Sequence, residues 1–264
     1  MSIIQAIILG LVQGLTEFIP VSSSGHLVIM HRLLGVTESG LTFDVALHMG
    51  TIAALLIFFH KDIIILTRAL VHKDKHTKLA WLIVVATVPA VIVGFLLEGA
   101  AETSFRSVRL VAFNLLLMGA IMLLAEKISH KISRRTSVDK ISLKQALGVG
   151  IAQSLAIVPG VSRSGVTITA GLFAGMDRVA ATRFSFLLAI PITVGAVVKV
   201  LASGDIVTQV SNEKAIFVAG ILSALVSGLF AIKFLLAYLS RHSLAAFAYY
   251  RFALALAVVL WFSR

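Results

Sequence analysis

The sequence contains no cysteine, few charged residues and only four prolines. The absence of cysteine excludes a disulfide framework, a thiolate metal site and a thiolate nucleophile. Charged residues make up 13% of the 264 residues and hydrophobic residues 59%, and the mean hydropathy is +1.02. Because a soluble domain of this length needs much more polar surface, the composition predicts a single-domain integral membrane protein.

Acidic residues are also scarce, since the chain has 12 Asp and Glu residues but 23 Lys and Arg residues. The net charge is +11. Such a basic chain can bind nucleic acid. Here the basic residues lie beside apolar runs, in predicted loops such as 60–78 and 127–144. Orientation in a bilayer explains this pattern better than a nucleic-acid partner. Contact with anionic lipid likewise explains His60, His72 and His76 better than a metal site, because the neighbouring lysines would repel a cation.

Six apolar runs have about the length that is needed to cross a bilayer of ~30 Å. They are 45–59, 79–97, 108–125, 184–201, 215–236 and 245–262. The strongly basic loops follow alternate runs, which places these loops in the cytoplasm by the positive-inside rule. Two further stretches, 2–35 and 145–175, are apolar but interrupted by glycines and by Pro20 or Pro159. They predict re-entrant hairpins, in which broken backbone is buried in protein or lines a polar cavity.

The two interrupted stretches contain related sequences. The segment that begins at Gln13, QGLTEFIPVSSSGH, aligns without a gap with the segment that begins at Gln153, QSLAIVPGVSRSGV. The offset between them is 140 residues. Three predicted spans separate the two copies, so the copies should enter the bilayer from opposite sides, as in an inverted repeat. The sequence therefore predicts an all-α membrane domain with six transmembrane helices and two re-entrant helical hairpins. Residues 1–264 form this domain, with inverted repeats at about 1–126 and 140–264.

The two copies differ in the polar residues at their broken tips. The first copy contributes Glu17 and His26, whereas the second contributes Arg163. The tips of oppositely inserted hairpins can meet near the middle of the bilayer, so we expect these three residues to form one site. A charged side chain at membrane depth costs ~2.5–3.5 kcal/mol and usually faces a polar cavity.

Arg163 is the strongest candidate for binding an anion. Its planar fork of donors suits a phosphate or a carboxylate. Neighbouring hydroxyl groups and a glycine backbone can add donors to the same anion. These neighbours are Ser162, Ser164, Gly165 and Thr167. The alternative is that Arg163 pairs with Glu17 in a purely structural contact.

The first copy offers groups for proton transfer and for binding a cation. Gln13 lies four residues before Glu17, so both side chains share one helix face, and their oxygens can hold a hard cation or position a proton. A packing hydrogen bond is an equal alternative for Gln13. His26 can act as a general base or a nucleophile. Ser22 and Ser23 are candidate nucleophiles or phosphate donors.

Two further polar residues lie within predicted spans. His48 is a candidate for another polar group of the site. Arg251 can extend to the bilayer surface or pair within the protein, and a structural role is as well supported as a contact with an anion.

The two motifs resemble those of a known family. QGLTEFIPVSSSGH and PGVSRSGVT resemble the two signature motifs of the undecaprenyl-diphosphate phosphatases of the bacitracin-resistance type. The resemblance extends over the whole chain, including AYYRF at 248–252. It implies removal of the terminal phosphate from undecaprenyl diphosphate, which recycles the lipid carrier of cell-wall sugars. It also implies a multi-pass enzyme of the bacterial inner membrane with a site that opens to the outer face and needs Mg²⁺ or Ca²⁺.

The resemblance also implies roles for individual residues. Glu17, Ser23, His26 and Arg163 match catalytic positions, and Gln13 together with Glu17 matches the positions that hold the cation. The expected phosphate-binding residues are Ser22, Ser162, Arg163, Ser164, Gly165 and Thr167. Many members of the family have glutamate at the position of Gln13. An amide can ligate a cation but cannot act as a base, so proton transfer falls to Glu17 or His26.

The expected partners are a polyprenyl diphosphate and membrane lipids, with no nucleic acid, and a homo-oligomer is compatible with the sequence. A rival function comes from a different class, because inverted repeats with broken half-helices also occur in secondary transporters. A flippase or anion carrier would use Arg163 to bind its cargo and Glu17 to couple protons. The Glu, Ser and His of the first motif favour the enzyme, since binding alone needs no nucleophile beside a base.

Overall fold

A computed structural model describes residues 1–36, 40–103, 108–132, 135–203 and 213–262. In these ranges the chain is helical and forms no strand beyond one isolated bridge. The helices are α1 (Ile3–Phe18), α2 (Ser23–Leu33), α3 (Gly40–Phe58), α4 (His60–Val71), α5 (Thr77–Thr103), α6 (Val108–Ser129), α7 (Leu143–Ser154), α8 (Arg163–Phe173), α9 (Arg178–Ser203), α10 (Lys214–Leu239) and α11 (Ala245–Phe262).

Four of the described helices are long and apolar enough to cross a membrane by themselves. Their apolar portions are Thr77–Leu97, Arg109–Ser129, Arg178–Lys199 and Lys214–Leu239. The number rises to five if α3 and α4, which are bent by 76° relative to each other, form one broken crossing. A shorter apolar helix, α11, follows the last of these spans. The chain is therefore an all-helical protein with several membrane spans, as its composition predicted.

The segment that follows α3 is not a loop over its whole length, so the prediction of a loop at 60–78 is wrong. Residues His60–Val71 form α4. Ile63, Leu66 and Ala69 recur at intervals of three residues and pack towards the protein interior. This apolar face provides the reason for the helix. The surrounding lysines and histidines obscured the pattern in the sequence.

A polar contact and an aromatic contact attach α4 to α9. Arg183 of α9 donates a hydrogen bond from Nη2 to Oδ1 of Asp62 at 2.7 Å. The same guanidinium lies 5.8 Å from the centre of the Phe59 ring. Phe59 in turn meets Phe186 at a centroid distance of 6.2 Å, and Phe186 meets Phe18 edge-on at 5.6 Å. This aromatic cluster belongs to the central core and anchors the end of α1, where Glu17 lies.

The two interrupted stretches form similar pairs of short helices, α1 with α2 and α7 with α8. Gln5 of α1 and Gln145 of α7 each complete a capping box with a serine three residues earlier. Each glutamine also donates from Nε2 to a backbone carbonyl at the end of the following helix. The acceptors are Leu34, at 2.9 Å, and Ala174, at 2.8 Å. The offset of 140 residues in the sequence therefore reappears in matching hydrogen bonds.

Helix α1 continues through its glycines because these let it approach α10 closely. Gly10 lies against the backbone of Gly220, and Gly14 lies against the hydroxyl of Ser227. A Cβ atom at either position of α1 would overlap these atoms. Contacts between small residues are a common way in which helices associate in a bilayer. The close packing buries the face of α1 that carries Gln13.

A buried ion pair fixes the beginning of α11. Arg178 of α9 donates to both carboxylate oxygens of Glu126 on α6, at distances of 2.6–3.1 Å. Oε1 of Glu126 also accepts a hydrogen bond from the backbone N–H of Leu244 at 2.7 Å. One carboxylate therefore connects α6 and α9 to Leu244, which directly precedes α11, the helix that carries Tyr250 and Arg251.

Candidate active site

The broken loops of both copies end in a serine with a positive φ. The φ angle is 76° at Ser22 and 72° at Ser162, values that residues other than glycine rarely adopt. Each serine hydroxyl accepts a hydrogen bond from a glycine N–H three residues later, at 3.3 and 3.1 Å respectively. The two serines thus cap α2 and α8. The next residues, Ser23 and Arg163, begin these helices at equivalent positions of the repeat.

Glu17 occupies the centre of the candidate site. Oε1 of its buried carboxylate accepts a hydrogen bond from Nη2 of Arg163 at 2.7 Å. Oε2 accepts one from Oγ of Ser23 at 2.7 Å and one from Nε2 of Gln13 at 3.2 Å. The structure therefore brings together four of the residues that the sequence singled out, from both halves of the chain.

The ion pair leaves part of the Arg163 guanidinium unused. Nη1 of Arg163 is buried and has no hydrogen-bond partner in the described part of the chain. The structural contact with Glu17 is thus present, but it does not satisfy the whole guanidinium. A buried donor without a partner is costly, so an incoming anion would gain a hydrogen bond there.

The other hydroxyls of the second motif make hydrogen bonds within the protein. Oγ of Ser164 donates to the backbone carbonyl of Glu17 at 3.3 Å and lies 3.2 Å from Oγ of Ser162. Thr167 donates to the carbonyl of Arg163 at 2.7 Å, and its hydroxyl lies 2.6 Å from that of Ser185 on α9. These bonds hold the beginning of α8 beside the end of α1. Their role in binding phosphate stays a prediction.

His26 lies against α11 and is not hydrogen-bonded to Ser23 in the described structure. Its Nδ1 lies 2.7 Å from the carbonyl oxygen of Ser22. A carbonyl only accepts, so Nδ1 carries the proton. In the neutral ring, Nε2 then accepts a hydrogen bond from the hydroxyl of Tyr250, at 2.7 Å. The two rings are stacked, with centroids 5.6 Å apart. Tyr250 had no predicted role, and its only signal in the sequence was the AYYRF segment.

Arg251 is fully buried and holds the two broken loops together. Its guanidinium donates to five backbone carbonyl groups at distances of 2.6–3.3 Å. These groups belong to Pro20 in the first loop, Gly160 and Val161 in the second loop, and Asn114 and Leu115 in α6. No carboxylate of the described residues pairs with Arg251. Of the two alternatives that the sequence left open, the structure supports the structural role.

Oxygen atoms near Glu17 fit a divalent cation. The described residues contain no group of three or more His, Cys, Asp or Glu that could hold a metal ion. Oε1 of Gln13, however, is buried without a hydrogen-bond partner, beside the carboxylate of Glu17. Mg²⁺ is often held by one or two protein carboxylates together with waters and substrate phosphates. Gln13 and Glu17 therefore suit a cation that takes its remaining ligands from a phosphate and from water.

The second copy offers no equivalent site. Gln153 corresponds to Gln13 and is buried, but neither atom of its amide has a hydrogen-bond partner in the described residues. Ile157 occupies the position of Glu17, so the second copy has no carboxylate there. The asymmetry of the two motifs therefore produces one composite site from two halves.

Comparison with known proteins agrees with the motifs. The model of the bacitracin resistance protein BacA family matches residues 6–257. An undecaprenyl-diphosphatase of Rubrobacter xylanophilus is 45% identical over 97% of this chain and 96% of its own length. An undecaprenyl-diphosphatase of Moorella thermoacetica is 44% identical over the full length of both chains. One of Pelotomaculum thermopropionicum is 42% identical over 98% of this chain and 96% of its own. The chain therefore belongs to the bacitracin resistance protein BacA family.

Proposed function

We propose that this protein is a membrane phosphatase that hydrolyses undecaprenyl diphosphate to undecaprenyl phosphate and inorganic phosphate. The observation that carries the proposal is the contact of Glu17 with both Ser23 and Arg163. It brings together a carboxylate that can act as a base, a hydroxyl and a guanidinium that can bind phosphate. The relatives described above support the substrate, because they are named undecaprenyl-diphosphatases and align over nearly the whole chain.

In the proposed arrangement, six crossings surround two re-entrant hairpins of opposite orientation. Four long helices, the bent pair α3 and α4, and α11 would supply the crossings. The hairpins are α1 with α2 and α7 with α8, and the matching capping boxes and positive-φ serines support their relation by an internal repeat. The distribution of basic loops supports a cytoplasmic position for those loops. Membership of the family supports a site that opens to the outer side of the bacterial inner membrane.

The geometry favours Ser23 as the nucleophile and Glu17 as its base. The serine hydroxyl donates to the carboxylate at 2.7 Å, so Glu17 is placed to accept the proton as Oγ attacks the terminal phosphorus. A bond forms between Oγ and phosphorus, and the bond from phosphorus to the bridging oxygen breaks. Undecaprenyl phosphate leaves as an anion and needs no proton. Water then attacks the phosphoserine, Oγ takes back the proton from Glu17, and inorganic phosphate is released.

The remaining residues bind and orient the diphosphate. Nη1 of Arg163 is the buried donor available to a phosphate oxygen, and the first N–H groups of α2 and α8 add positive dipole ends. His26 holds the carbonyl of Ser22 and so positions the residue before the nucleophile. Gln13 and Glu17 would hold the Mg²⁺ or Ca²⁺ ion, which when bound would neutralise charge on the diphosphate.

Phosphate release from a polyprenyl diphosphate by the detergent-purified protein tests this function. We expect release that stops in EDTA and falls about 10²-fold or more in Arg163→Ala and in His26→Ala. Arg163→Lys keeps the charge but loses the planar fork, so it should also be strongly impaired. Near-normal turnover by Arg163→Lys would contradict the phosphate clamp. Absence of release by folded wild-type protein would contradict the phosphatase and direct the test to lipid or anion movement in vesicles.

Tyr250→Phe tests whether α11 orients the site through His26. The substitution removes the hydroxyl that lies 2.7 Å from Nε2 of His26 but keeps the stacked ring. We expect phosphate release to fall by up to about tenfold, the value of one ordinary hydrogen bond. Tyr249→Phe is the matched control, since Tyr249 is the exposed neighbour and should retain wild-type turnover. Equal rates in the two variants would show that the bond from Tyr250 to His26 is unimportant for the reaction.

A further inference from the structure

We infer that His48 is a third protein ligand of the divalent cation, in addition to Gln13 and Glu17, and that it binds through Nε2. The inference rests on the proposed function, because the cation belongs to that reaction. Nε2 of His48 lies 3.7 Å from Oε2 of Glu17. His48 comes from α3, so the cation would connect this helix to α1.

The hydrogen bond of the other ring nitrogen fixes the tautomer of His48, and this tautomer can bind a metal. Nδ1 of His48 lies 2.8 Å from the backbone carbonyl oxygen of Asp44, one helical turn earlier. Since a carbonyl oxygen only accepts, Nδ1 carries a proton, and the neutral ring presents a bare Nε2 to Glu17. A hydrogen bond from the second ring nitrogen to a backbone carbonyl is the usual support of a histidine that ligates a metal.

The distance between the two side chains also suits an intervening ion. A separation of 3.7 Å is too long for a hydrogen bond. A bare nitrogen and a carboxylate oxygen also gain nothing from facing each other, because both present lone pairs. A cation can contact both, since metal–ligand distances of about 2.0–2.2 Å on each side span this gap. Gln13 contacts Glu17 through Nε2, and its Oε1 is buried without a hydrogen-bond partner, so this oxygen can supply a further ligand.

A nitrogen ligand should change which cation the site prefers. Ca²⁺ and Mg²⁺ favour oxygen ligands, whereas imidazole suits cations such as Zn²⁺ and Ni²⁺. We therefore expect Zn²⁺ to bind more tightly than Ca²⁺ and to do so through His48. The side chain of His48 is 38% exposed and that of Glu17 only 9%, so His48 is the more accessible of these two ligands.

Pulsed electron paramagnetic resonance of Mn²⁺ tests the inference directly. The probe is Mn²⁺ with methylenediphosphonate, a diphosphate analogue that is not cleaved, bound to the detergent-purified full-length protein. We expect a nitrogen coupling typical of a directly bound imidazole in the wild type. In His48→Gln the coupling should disappear, and Mn²⁺ affinity should fall by about tenfold or more.

His60→Gln is the matched control. His60 also holds its Nδ1 near a backbone carbonyl, that of Ile57 at 2.9 Å, but the described structure shows no carboxylate in ion-pair range. This variant should retain the nitrogen coupling. Mn²⁺ bound without such coupling in the wild type, or coupling that persists in His48→Gln, would overturn the inference.

The two proposals fail in different ways. If phosphate release stops in EDTA but bound Mn²⁺ shows no imidazole nitrogen, the phosphatase stands and the role of His48 is wrong. If the folded wild type neither releases phosphate nor binds Mn²⁺ with the analogue, the proposed function fails, and the inference about His48 fails with it.

Discussion

Glu17→Gln is expected to reduce phosphate release by about 10³-fold, within the range typical of losing a general base. The carboxylate accepts one hydrogen bond from the hydroxyl of Ser23 and one from the guanidinium of Arg163, each at 2.7 Å. A glutamine can retain hydrogen bonds but cannot take the proton that Ser23 must lose. The initial rate of phosphate release per amount of folded protein measures the effect.

A double variant separates chemistry from folding at this position. Glu17→Gln alone leaves Arg163 buried without its counterion, and breaking a buried pair in this way costs about 3–5 kcal/mol. Replacing both residues, as Glu17→Gln with Arg163→Gln, removes both charges and should recover most of the thermal stability. The double variant should nevertheless stay inactive. Recovery of phosphate release together with stability would contradict a role for Glu17 as the base.

Arg251→Met is expected to cause the largest loss of stability. The substitution preserves an apolar stem but leaves five carbonyl groups from two loops and α6 without their shared donor. The carbonyls of Asn114 and Leu115 keep their bonds within α6, so the loop carbonyls of Pro20, Gly160 and Val161 are the ones left unsatisfied. Each such buried group costs about 1–3 kcal/mol, so we expect a loss of about 3–5 kcal/mol. For a chain of this size, that loss corresponds to a fall of about 10 °C in Tm. Circular dichroism during heating in detergent measures it.

Two further variants define the role of Arg251. Arg109→Met makes the same chemical change at an exposed arginine of α6 and should leave Tm almost unchanged. Arg251→Lys keeps the charge but offers a single ammonium group in place of the fork, so it should restore only part of the stability. A wild-type Tm for Arg251→Met would show that the loops do not depend on this residue. Lower phosphate release in Arg251→Lys at a temperature where it is folded would show that loop position controls the site.

Much of the site was predictable because its residues have distinctive chemistry in an apolar sequence. Glu17 and Arg163 are charged residues within weakly polar stretches, and the repeat offset indicated that the two stretches meet. The structure places the two side chains 2.7 Å apart. The four-residue spacing of Gln13 and Glu17 likewise predicted a shared helix face, and the two side chains are hydrogen-bonded at 3.2 Å.

Other features had no such signal. α4 was hidden because charged residues interrupt its apolar face. Its Asp62 accepts a hydrogen bond from Arg183 of α9, which lies 121 residues away in the sequence. The partner of His26 is Tyr250, which lies 224 residues away in the sequence. Tyrosine is common near membrane surfaces, so its presence in α11 did not point to a histidine of α2.

The sequence by itself determined the membrane class, the family, the repeat and the chemical groups of the site, because each depends on side-chain identity and spacing along the chain. Only the tertiary structure decided that Ser23, and not His26, contacts Glu17, and that Arg251 holds both loops. The physical reason is that the acceptors of Arg251 are backbone carbonyls, which every residue has. Which carbonyls converge on one guanidinium depends on how α6, α11 and the two loops pack, and no local pattern in the sequence records that packing.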